Sequence, residues 1–298
     1  MAYRFKNKDG TIQNSVRRIA DEQISKALRS IDELDRPDAI HDVRKRCKKL
    51  RGLVRLVRPA FDQYSTENAV FRDAALAISD ARDAKVMLDT YDLLMSEFES
   101  SVNRQAMASI RRSFTLQRQT KIREGEETEK LKQTVDTLLE ARERASKWKI
   151  DADGWKAVEG GIAQTYRRAR DAAGRARSCA DGEVFHELRK RIKYHWYHCR
   201  LLENLWPEMM GLRKDTAQRL SDILGDHHDL NVFAEKLGSD IPSFGNPRDV
   251  ETAIGLARAR QERLESQGWP MVDRILAQSP EALSEHLEVL WKAWRKEA

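Results

Sequence analysis

Apolar residues recur every three to four positions along almost the whole chain, a spacing typical of amphipathic α-helices. No segment shows the alternation of apolar and polar residues that indicates a half-buried strand. The pattern predicts helices over 11–34, 38–58, 62–98, 100–123, 127–148, 162–179, 183–205, 208–224, 228–237, 248–267, 270–277 and 281–296. We therefore expect an all-α protein.

The predicted helices are separated by proline, glycine and one acidic run. The acidic residues that begin at Glu124 predict a solvated turn, and Gly225 predicts a break between two helices. The segments 151–161 and 238–247 are rich in glycine or proline and predict the main connections.

The chain contains an internal repeat. The segment His41–Lys48 recurs 145 residues later as His186–Lys193, with five of the eight positions identical. Two helical halves of about this length indicate a duplication. We expect two helical bundles related by a pseudo-two-fold axis.

Each copy of the repeat has one cationic and one apolar face when it is wound as a helix of about 100° per residue. The cationic face of the first copy contains His41, Arg44, Lys45, Lys48 and Arg55, and that of the second contains His186, Arg189, Lys190, Lys193, Tyr197 and Arg200. The apolar faces contain Val43, Cys47, Leu50, Val54 and Val57, and Leu188, Ile192, Cys199 and Leu202. The apolar faces are expected to enter the core.

The positive charge of the protein is concentrated on these two helices. The net charge is +6, while segment 41–58 alone carries +7, segment 186–203 carries +3 and the rest of the chain about −4. Like charges at i,i+4 repel one another, so a face with one sign over four turns favours an anionic partner. The pattern predicts a polyanion-binding site.

Composition excludes several classes of protein. Only 14 glycines and 7 prolines are present, which argues against a turn-rich β protein and against a collagen-like chain. No apolar stretch is long enough to span a membrane, and the first 18 residues lack an apolar signal core. Three cysteines are too few for a disulfide framework. We expect a reduced, cytoplasmic protein that does not bind membranes.

At these residues the sequence resembles the CHAD domain, the conserved histidine α-helical domain. The pattern His-x-x-Arg-Lys-x-x-Lys-x-x-Arg over 41–51, repeated as His-x-x-Arg-Lys-x-x-Lys over 186–193, carries the resemblance. Segments 166–170 and 220–226 also resemble the family. The resemblance covers about residues 10–296.

The resemblance implies a single domain over 1–298, made of two four-helix-bundle lobes at about 10–150 and 161–296. Their basic helices are expected to line a central cationic surface or channel. It further implies that the protein binds inorganic polyphosphate without catalysis or cofactor, and associates with polyphosphate granules or with a polyphosphate-associated enzyme. The residues expected to bind polyphosphate are His41, Arg44, Lys45, Lys48, Lys49, Arg51, Arg55, His186, Arg189, Lys190, Lys193 and Arg200.

The second copy departs from the first by replacing cations and a glycine with aromatic residues. Tyr194, Trp196 and Tyr197 stand where the first copy has a lysine, an arginine and a glycine. We therefore expect the first copy to contribute more of the affinity. Because the cations lie opposite the apolar faces, replacing them is not expected to unfold the protein.

Two other functions remain open at this stage. A nucleic-acid binder would use the same cations, but it would need exposed aromatic or base-reading side chains, which the cationic faces lack apart from Tyr197. A metal-dependent polyphosphate or triphosphate hydrolase would use the repeated acids Asp80, Asp83, Asp226 and Asp229. We prefer to interpret these acids as counter-charges to the basic faces.

A metal site is also conceivable at two histidines of the second basic helix. His195 and His198 stand three residues apart beside Cys199, but the spacing matches no zinc pattern. We expect core histidines there, with no metal bound.

Overall fold

A computed structural model describes residues 3–121, 124–179 and 181–297, without the side chains of 80–84, 101, 118, 120–121 and 124–128. These ranges contain α-helices and short 3-10 turns but no strand, so the prediction of an all-α fold is confirmed. The eleven α-helices within them are α1 (Ile12–Glu33), α2 (Arg36–Leu56), α3 (Tyr64–Ala77), α4 (Asp80–Glu97), α5 (Ala108–Lys121), α6 (Glu124–Ser146), α7 (Glu159–Ser178), α8 (Gly182–Leu201), α9 (Pro207–Ser239), α10 (Pro247–Ile275) and α11 (Pro280–Lys296).

The helix predicted over 62–98 is in fact two helices. The hydroxyl and the amide of Ser79 both donate to the carbonyl oxygen of Leu76, at 2.8 and 3.1 Å. These bonds end α3 and turn the chain before α4 begins. The prediction was wrong because the apolar spacing continues through the break.

Three predicted interruptions are absent. Helix α9 runs through Gly225, α10 runs through Pro270, and α6 begins at Glu124, inside the acidic run predicted as a turn. A glycine inside a helix costs only about 1 kcal/mol and a proline about 3 kcal/mol. The long packing interface between α9 and α10 offsets these costs.

The two repeated segments form the equivalent helices α2 and α8. Each begins after an aspartate whose carboxylate accepts a backbone hydrogen bond from the first turn: Asp35 from the amide of Asp38, and Asp181 from that of Glu183. Such caps satisfy the otherwise unpaired N–H groups of a helix start. The caps therefore define where the basic faces begin.

Two hydrophobic clusters make up the core. The larger is shared by α1, α2, α3, α6, α7, α8, α11 and the adjoining ends of α9 and α10. The smaller joins α4 and α5 to the second half of α9 and the first part of α10. Every residue predicted on the apolar faces of α2 and α8 is buried: Val43, Cys47, Leu50, Val54, Val57, Leu188, Ile192, Cys199 and Leu202.

Helix α2 lies in direct contact with both α7 and α8. A Cβ atom on Gly52 would stand 2.8 Å from Cβ of Tyr197, and one on Gly161 would overlap the carbonyl oxygen of Leu56. Glycine is required at both positions because the helices approach so closely. The first contact brings the two basic helices together.

Across the described ranges, no helix combines the length and the apolar character that crossing a bilayer requires.

Candidate functional site

The solvent-facing cations of α2 lie along its first half. His41, Lys45 and Lys48 are exposed. The ammonium of Lys45 pairs with the Asp42 carboxylate at 3.3 Å, and Arg46 donates to the same carboxylate. These two bonds lower the pKa of Asp42, although its partial burial opposes them. This end of α2 therefore presents positive charge to solvent, with one carboxylate beside it.

Arg44 has a structural contact as well as a charge. Its Nη1 donates to the backbone carbonyl oxygen of Ala75 at 2.6 Å, in the last turn of α3. A guanidinium at the C-terminal end of a helix satisfies an otherwise unpaired carbonyl and complements the helix dipole. Replacing Arg44 is therefore expected to lower the stability of the protein, while the prediction that it does not unfold the protein stays a prediction.

Arg51 and Arg55 lie deeper, between α3 and α8. Arg55 is only 8 % exposed. Its Nη1 donates to the hydroxyl of Tyr64 at 3.0 Å, and its guanidinium lies 4.2 Å from the ring centroid of Tyr194. Arg51 donates from Nε to the side-chain oxygen of Asn68 at 3.3 Å and also lies over Tyr194. Neutral groups thus hold both guanidinium groups.

Burial of Arg51 lowers its pKa, Tyr194 raises it in part, and the charges of Arg55 and Arg72 lower it further. A cation whose pKa is lowered in this way is stabilised when an anion binds beside it. Arg72, on α3, extends the positive surface beyond the two repeated helices.

The cations of α8 are stacked on aromatic rings. Lys193 and Arg200 lie over the ring of Trp196, at 4.2 and 4.9 Å from its centroid, and Arg200 also lies over Tyr3 at 5.6 Å. Aromatic rings thus lie among the cations of α8, but Tyr194 and Trp196 are half-buried and Tyr197 is buried. The residues that replace cations in the second copy hold the remaining cations in place through cation–π contacts.

Several cations of α8 also have carboxylates close by. The ammonium of Lys190 pairs with Glu187 at 2.6 Å, and that of Lys193 lies 3.8 Å from Asp222 on α9. Burial lowers the pKa of Lys193, the charge of Asp222 raises it in part, and the charge of Arg189 adds to the lowering. The positive charge of α8 is thus partly balanced.

Arg189 explains the glycine inside α9. A Cβ atom on Gly225 would stand 3.4 Å from Nη2 of Arg189, so the guanidinium lies against the bare backbone of α9. Desolvation raises the pKa of Asp226, as do the charges of Asp229 and Asp222, and the charge of Arg189 lowers it in part. The neighbouring acids therefore outweigh Arg189 at Asp226, and the interpretation of the repeated acids as counter-charges stays a prediction. The side chains of the repeated acids in the first half lie outside the described residues.

His186 packs against a histidine from another helix. Its ring stacks on His228 of α9 with centroids 4.1 Å apart. Burial lowers the pKa of His186, and the charges of Lys190, Arg189 and Lys48 lower it further. The effect of Lys48 crosses from α2 to α8, so the exposed parts of the two faces are electrostatic neighbours.

Lys49 is the most deeply placed cation of the predicted set, at 6 % exposure. Burial lowers its pKa to about 7, and the charges of Arg46, Arg200 and Lys45 add to the lowering, while Asp42 acts in the opposite direction. Arg200 belongs to α8, so here too the cations of the two helices repel one another.

Sequence reasoning missed several residues of this surface. Arg58 follows α2 and donates to Thr165 and to the carbonyl oxygen of Gly161 on α7. Burial lowers its pKa to about 10, with Arg168 and Arg55 contributing and Tyr64 opposing. The run of charges that ends at Arg58 could have identified it. His228 lies in the repeated segment 226–229, whereas no sequence signal points to Tyr3, which reaches the site only through packing.

The histidines considered as metal ligands are core residues. His195 and His198 are fully buried. His195 accepts from Nε of Arg213 at 3.1 Å, and His198 contacts the carbonyl oxygen of Gly52 at 3.2 Å. In the part of the chain that the structure describes, no group of three or more histidine, cysteine or acidic side chains is arranged to hold a metal ion.

Comparison with known proteins adds one finding. A protein-family model described as the CHAD domain matches residues 18–238, which include α2, α8 and nearly all of α9. No curated protein matches the chain.

Proposed function

The chain belongs to the CHAD domain family, and on that premise we propose that it binds inorganic polyphosphate through the cationic faces of α2 and α8. The proposed ligands are the residues predicted from the sequence: His41, Arg44, Lys45, Lys48, Lys49, Arg51, Arg55, His186, Arg189, Lys190, Lys193 and Arg200. Arg58 and Arg72 extend the same surface.

One observation carries the proposal: cations from two helices 145 residues apart in the chain are brought together and repel one another. Lys49 of α2 and Arg200 of α8 lie 5.7 and 5.6 Å from the ring centroid of Tyr3, and Arg200 contributes to lowering the pKa of Lys49. A folded protein keeps such a cluster at a cost in stability, which a bound polyanion removes.

Polyphosphate suits this surface because it is a flexible chain with a negative charge at every phosphate. Lysine acts as a mobile point charge, and arginine can donate to two phosphate oxygens at once. Side chains three and four positions apart on a helix lie about 5–6 Å from each other at Cβ. A row of them can therefore contact successive phosphates, with release of condensed counterions as in nucleic-acid binding.

The proposal includes a pseudo-two-fold arrangement of two four-helix lobes around a cationic channel. Its support is that the repeated motif forms two equivalent helices, each capped by an aspartate and in contact with the other at Gly52. The channel would follow that contact.

We propose binding without catalysis. The support is that the Asp222 carboxylate lies 3.8 Å from the Lys193 ammonium, where it acts as a counter-charge. The aromatic rings likewise do not favour nucleic acid, because cations already cover Trp196 and Tyr194 and compete with bases for the ring faces. A cytoplasmic location at polyphosphate granules, or beside a polyphosphate-associated enzyme, completes the proposal.

The test is a titration of the protein with a long polyphosphate, a short polyphosphate and ATP at two salt concentrations. The long chain should bind most tightly because it engages more cations. Its affinity should fall at least tenfold between about 50 and 200 mM salt. Equal affinity for ATP and the long chain, insensitive to salt, would overturn the proposal, and phosphate release with added divalent metal would overturn its non-catalytic part.

A matched pair of variants separates this site from net charge. Lys48→Glu reverses a charge on the exposed face of α2, and Lys292→Glu makes the same change on α11, where the lysine pairs with Glu288. The first should weaken binding of the long chain at least tenfold, and the second should leave it within twofold. Equal losses would indicate nonspecific attraction to a basic protein.

A further inference from the structure

The segment that precedes α1 crosses the contact between the two basic helices. The hydroxyl of Tyr3 donates to the carbonyl oxygen of Lys49 at 2.6 Å, and the Tyr3 ring packs edge-on against Tyr197. Two residues later, the amide of Phe5 donates to the carbonyl oxygen of Leu201 at 2.9 Å. The segment is thus bonded to the backbone of both α2 and α8.

Its other end is fixed to α11. The side-chain amide of Asn7 donates to the carbonyl oxygen of Trp294 at 2.8 Å, and Arg295 donates to the carbonyl oxygen of Gly10 at 2.9 Å. Residues 3–10 therefore form a strap with both ends attached. The strap lies outside residues 18–238, the region that matches the family.

The ring of Tyr3 lies between two cations of the proposed site. The Lys49 ammonium is 5.7 Å and the Arg200 guanidinium 5.6 Å from its centroid. The ring covers part of Lys49, which is 6 % exposed. Its cation–π attraction favours the charged lysine, but burial and the neighbouring cations act against that form. A lysine that is buried beside other cations favours its neutral form.

We propose that the strap, by enclosing Lys49 through Tyr3, disfavours the charged form of this lysine in the free protein, so that above pH 7 binding of a polyphosphate chain draws a proton from solvent onto it. This inference rests on the proposed function. Tyr3 is a positioning residue, and Lys49 is the group that gains the proton.

The charges around Lys49 determine the direction of the effect. Arg46 and Lys45 on α2 and Arg200 on α8 disfavour its ammonium form, and Asp42 favours it. Burial raises the pKa of the Tyr3 hydroxyl well above its usual value, so this group stays neutral. Phosphates bound by the surrounding cations add negative charge and return Lys49 to its charged form.

The direction in which polyphosphate affinity changes with pH follows from the pKa of Lys49, which is about 7 in the free protein. Below pH 7 the lysine is already charged and binding takes up no proton. Above pH 7 binding must supply one, so affinity falls as pH rises, by at most tenfold per pH unit. Unperturbed lysines keep their charge up to about pH 10, so the exposed cations do not add to this slope.

The experiment measures long-polyphosphate affinity between pH 7 and 9 for the wild type and three Lys49 or Tyr3 variants. The wild type should lose at least tenfold in affinity across this range. Lys49→Arg, which keeps its charge, and Lys49→Met, which has none, should both lose less than threefold. Tyr3→Ala opens Lys49 to water and should also flatten the slope, with tighter binding than wild type at pH 9.

Lys190→Met is the matched control, because it removes an exposed lysine from α8. It should weaken binding at every pH and keep the wild-type slope. Tyr3→Phe keeps the ring, loses only one hydrogen bond, and should keep most of the slope.

A wild type that binds tightly with the same affinity at pH 7 and 9 would overturn the inference and leave the proposed function intact. A wild type that does not bind polyphosphate at either pH would overturn the proposed function itself. A slope that survives in Lys49→Met and Lys49→Arg would assign the proton to another group. Should Tyr3→Ala fail to fold, the two Lys49 variants decide the question.

Discussion

Among the described contacts, Arg51 and Arg55 of α2 have neutral partners, whereas Lys193 of α8 has a carboxylate beside it. Arg44 binds a backbone carbonyl oxygen and Arg55 a tyrosine hydroxyl, while Lys193 of α8 lies near Asp222. Both helices keep one acid near their start, Asp42 or Glu187, which pairs with two cations. The two helices therefore differ in the described partners of their other cations.

This difference teaches that the partners of a cation matter as well as the number of cations. Segment 41–58 exceeds segment 186–203 by three cations, and in α8 aromatic rings of the second copy hold Lys193 and Arg200. The electrostatic free energy of α2 should therefore fall further when a polyanion binds.

The largest expected effect comes from removing three cations from either helix. Replacing Arg44, Lys45 and Lys48 by alanine should weaken polyphosphate binding about 100-fold, at about 1 kcal/mol per exposed charge. The same change at the corresponding second-copy positions, 189, 190 and 193, should cost only about tenfold, because segment 186–203 carries three fewer cations than segment 41–58. The measurement is a polyphosphate titration of both triple variants.

Stability must be followed in the same variants, since Arg44 also bonds to α3. Losing that bond should cost about 1–3 kcal/mol of unfolding free energy, so a Lys45→Ala, Lys48→Ala double variant serves as the control that melts near wild type. A larger loss of affinity in the variant with alanine at 189, 190 and 193 would contradict the predicted order. It would indicate that enclosure of the site matters more than its charge.

The contact between α2 and α8 is tested by Gly52→Ala. Its new methyl would stand 2.8 and 3.0 Å from Cβ and Cγ of Tyr197, which is buried and has no room to move. Overpacking of this kind should lower the unfolding free energy by about 1–3 kcal/mol, measured by urea denaturation. Gly255→Ala is the matched control, because nothing lies within 4 Å of that position and a helical alanine should stabilise. Equal free energies of unfolding for Gly52→Ala and Gly255→Ala would argue against a close contact between α2 and α8.

Acidification should affect α8 more than α2, because α8 contains buried histidines. Burial lowers the pKa of His198 to about 3, against 6.5 when unfolded, and the charges of Arg58 and Arg55 contribute while the bond to Gly52 opposes. As pH falls below 6.5 the unfolded state takes up a proton that the folded state does not. Stability should therefore drop by about 2 kcal/mol between pH 7 and 5 for this group.

Urea unfolding at pH 7 and at pH 5 tests whether the free energy of unfolding falls on acidification. His198→Gln should show a smaller drop than wild type, and His286→Gln, at an exposed position of α11, should behave like wild type. A protein that is more stable at pH 5 than at pH 7 would show that the histidines of α8 are charged in the fold.

The smallest effect is expected from Gly225→Ala. The methyl would lie 3.4 Å from Nη2 of Arg189, a flexible side chain that can move aside. The helix should gain about 1 kcal/mol from the change, while displacement of the guanidinium should weaken polyphosphate binding about twofold. Urea unfolding and titration measure the two effects separately. A lower free energy of unfolding in Gly225→Ala than in the wild type would mean that Arg189 is rigidly held.

The helical fold and the two amphipathic basic helices could be predicted because their signals are local. Apolar residues such as Val43 and Leu188 recur at helical spacing and are buried as predicted. Helix ends were less predictable. The break before Ser79 and the continuity through Gly225 and Pro270 depend on hydrogen bonds and packing that the spacing of apolar residues does not encode.

What the sequence determined by itself is the all-α class, the repeat, and the concentration of charge on two helix faces, since each follows from residues a few positions apart. Only the tertiary structure decided which of those cations are exposed and which are buried. Lys49 and Arg55 share the cationic segment with Lys48, yet the first two are enclosed because Tyr3 and Tyr194, from distant parts of the chain, pack against them. The charge state of a buried lysine depends on such neighbours, and no helical period specifies them.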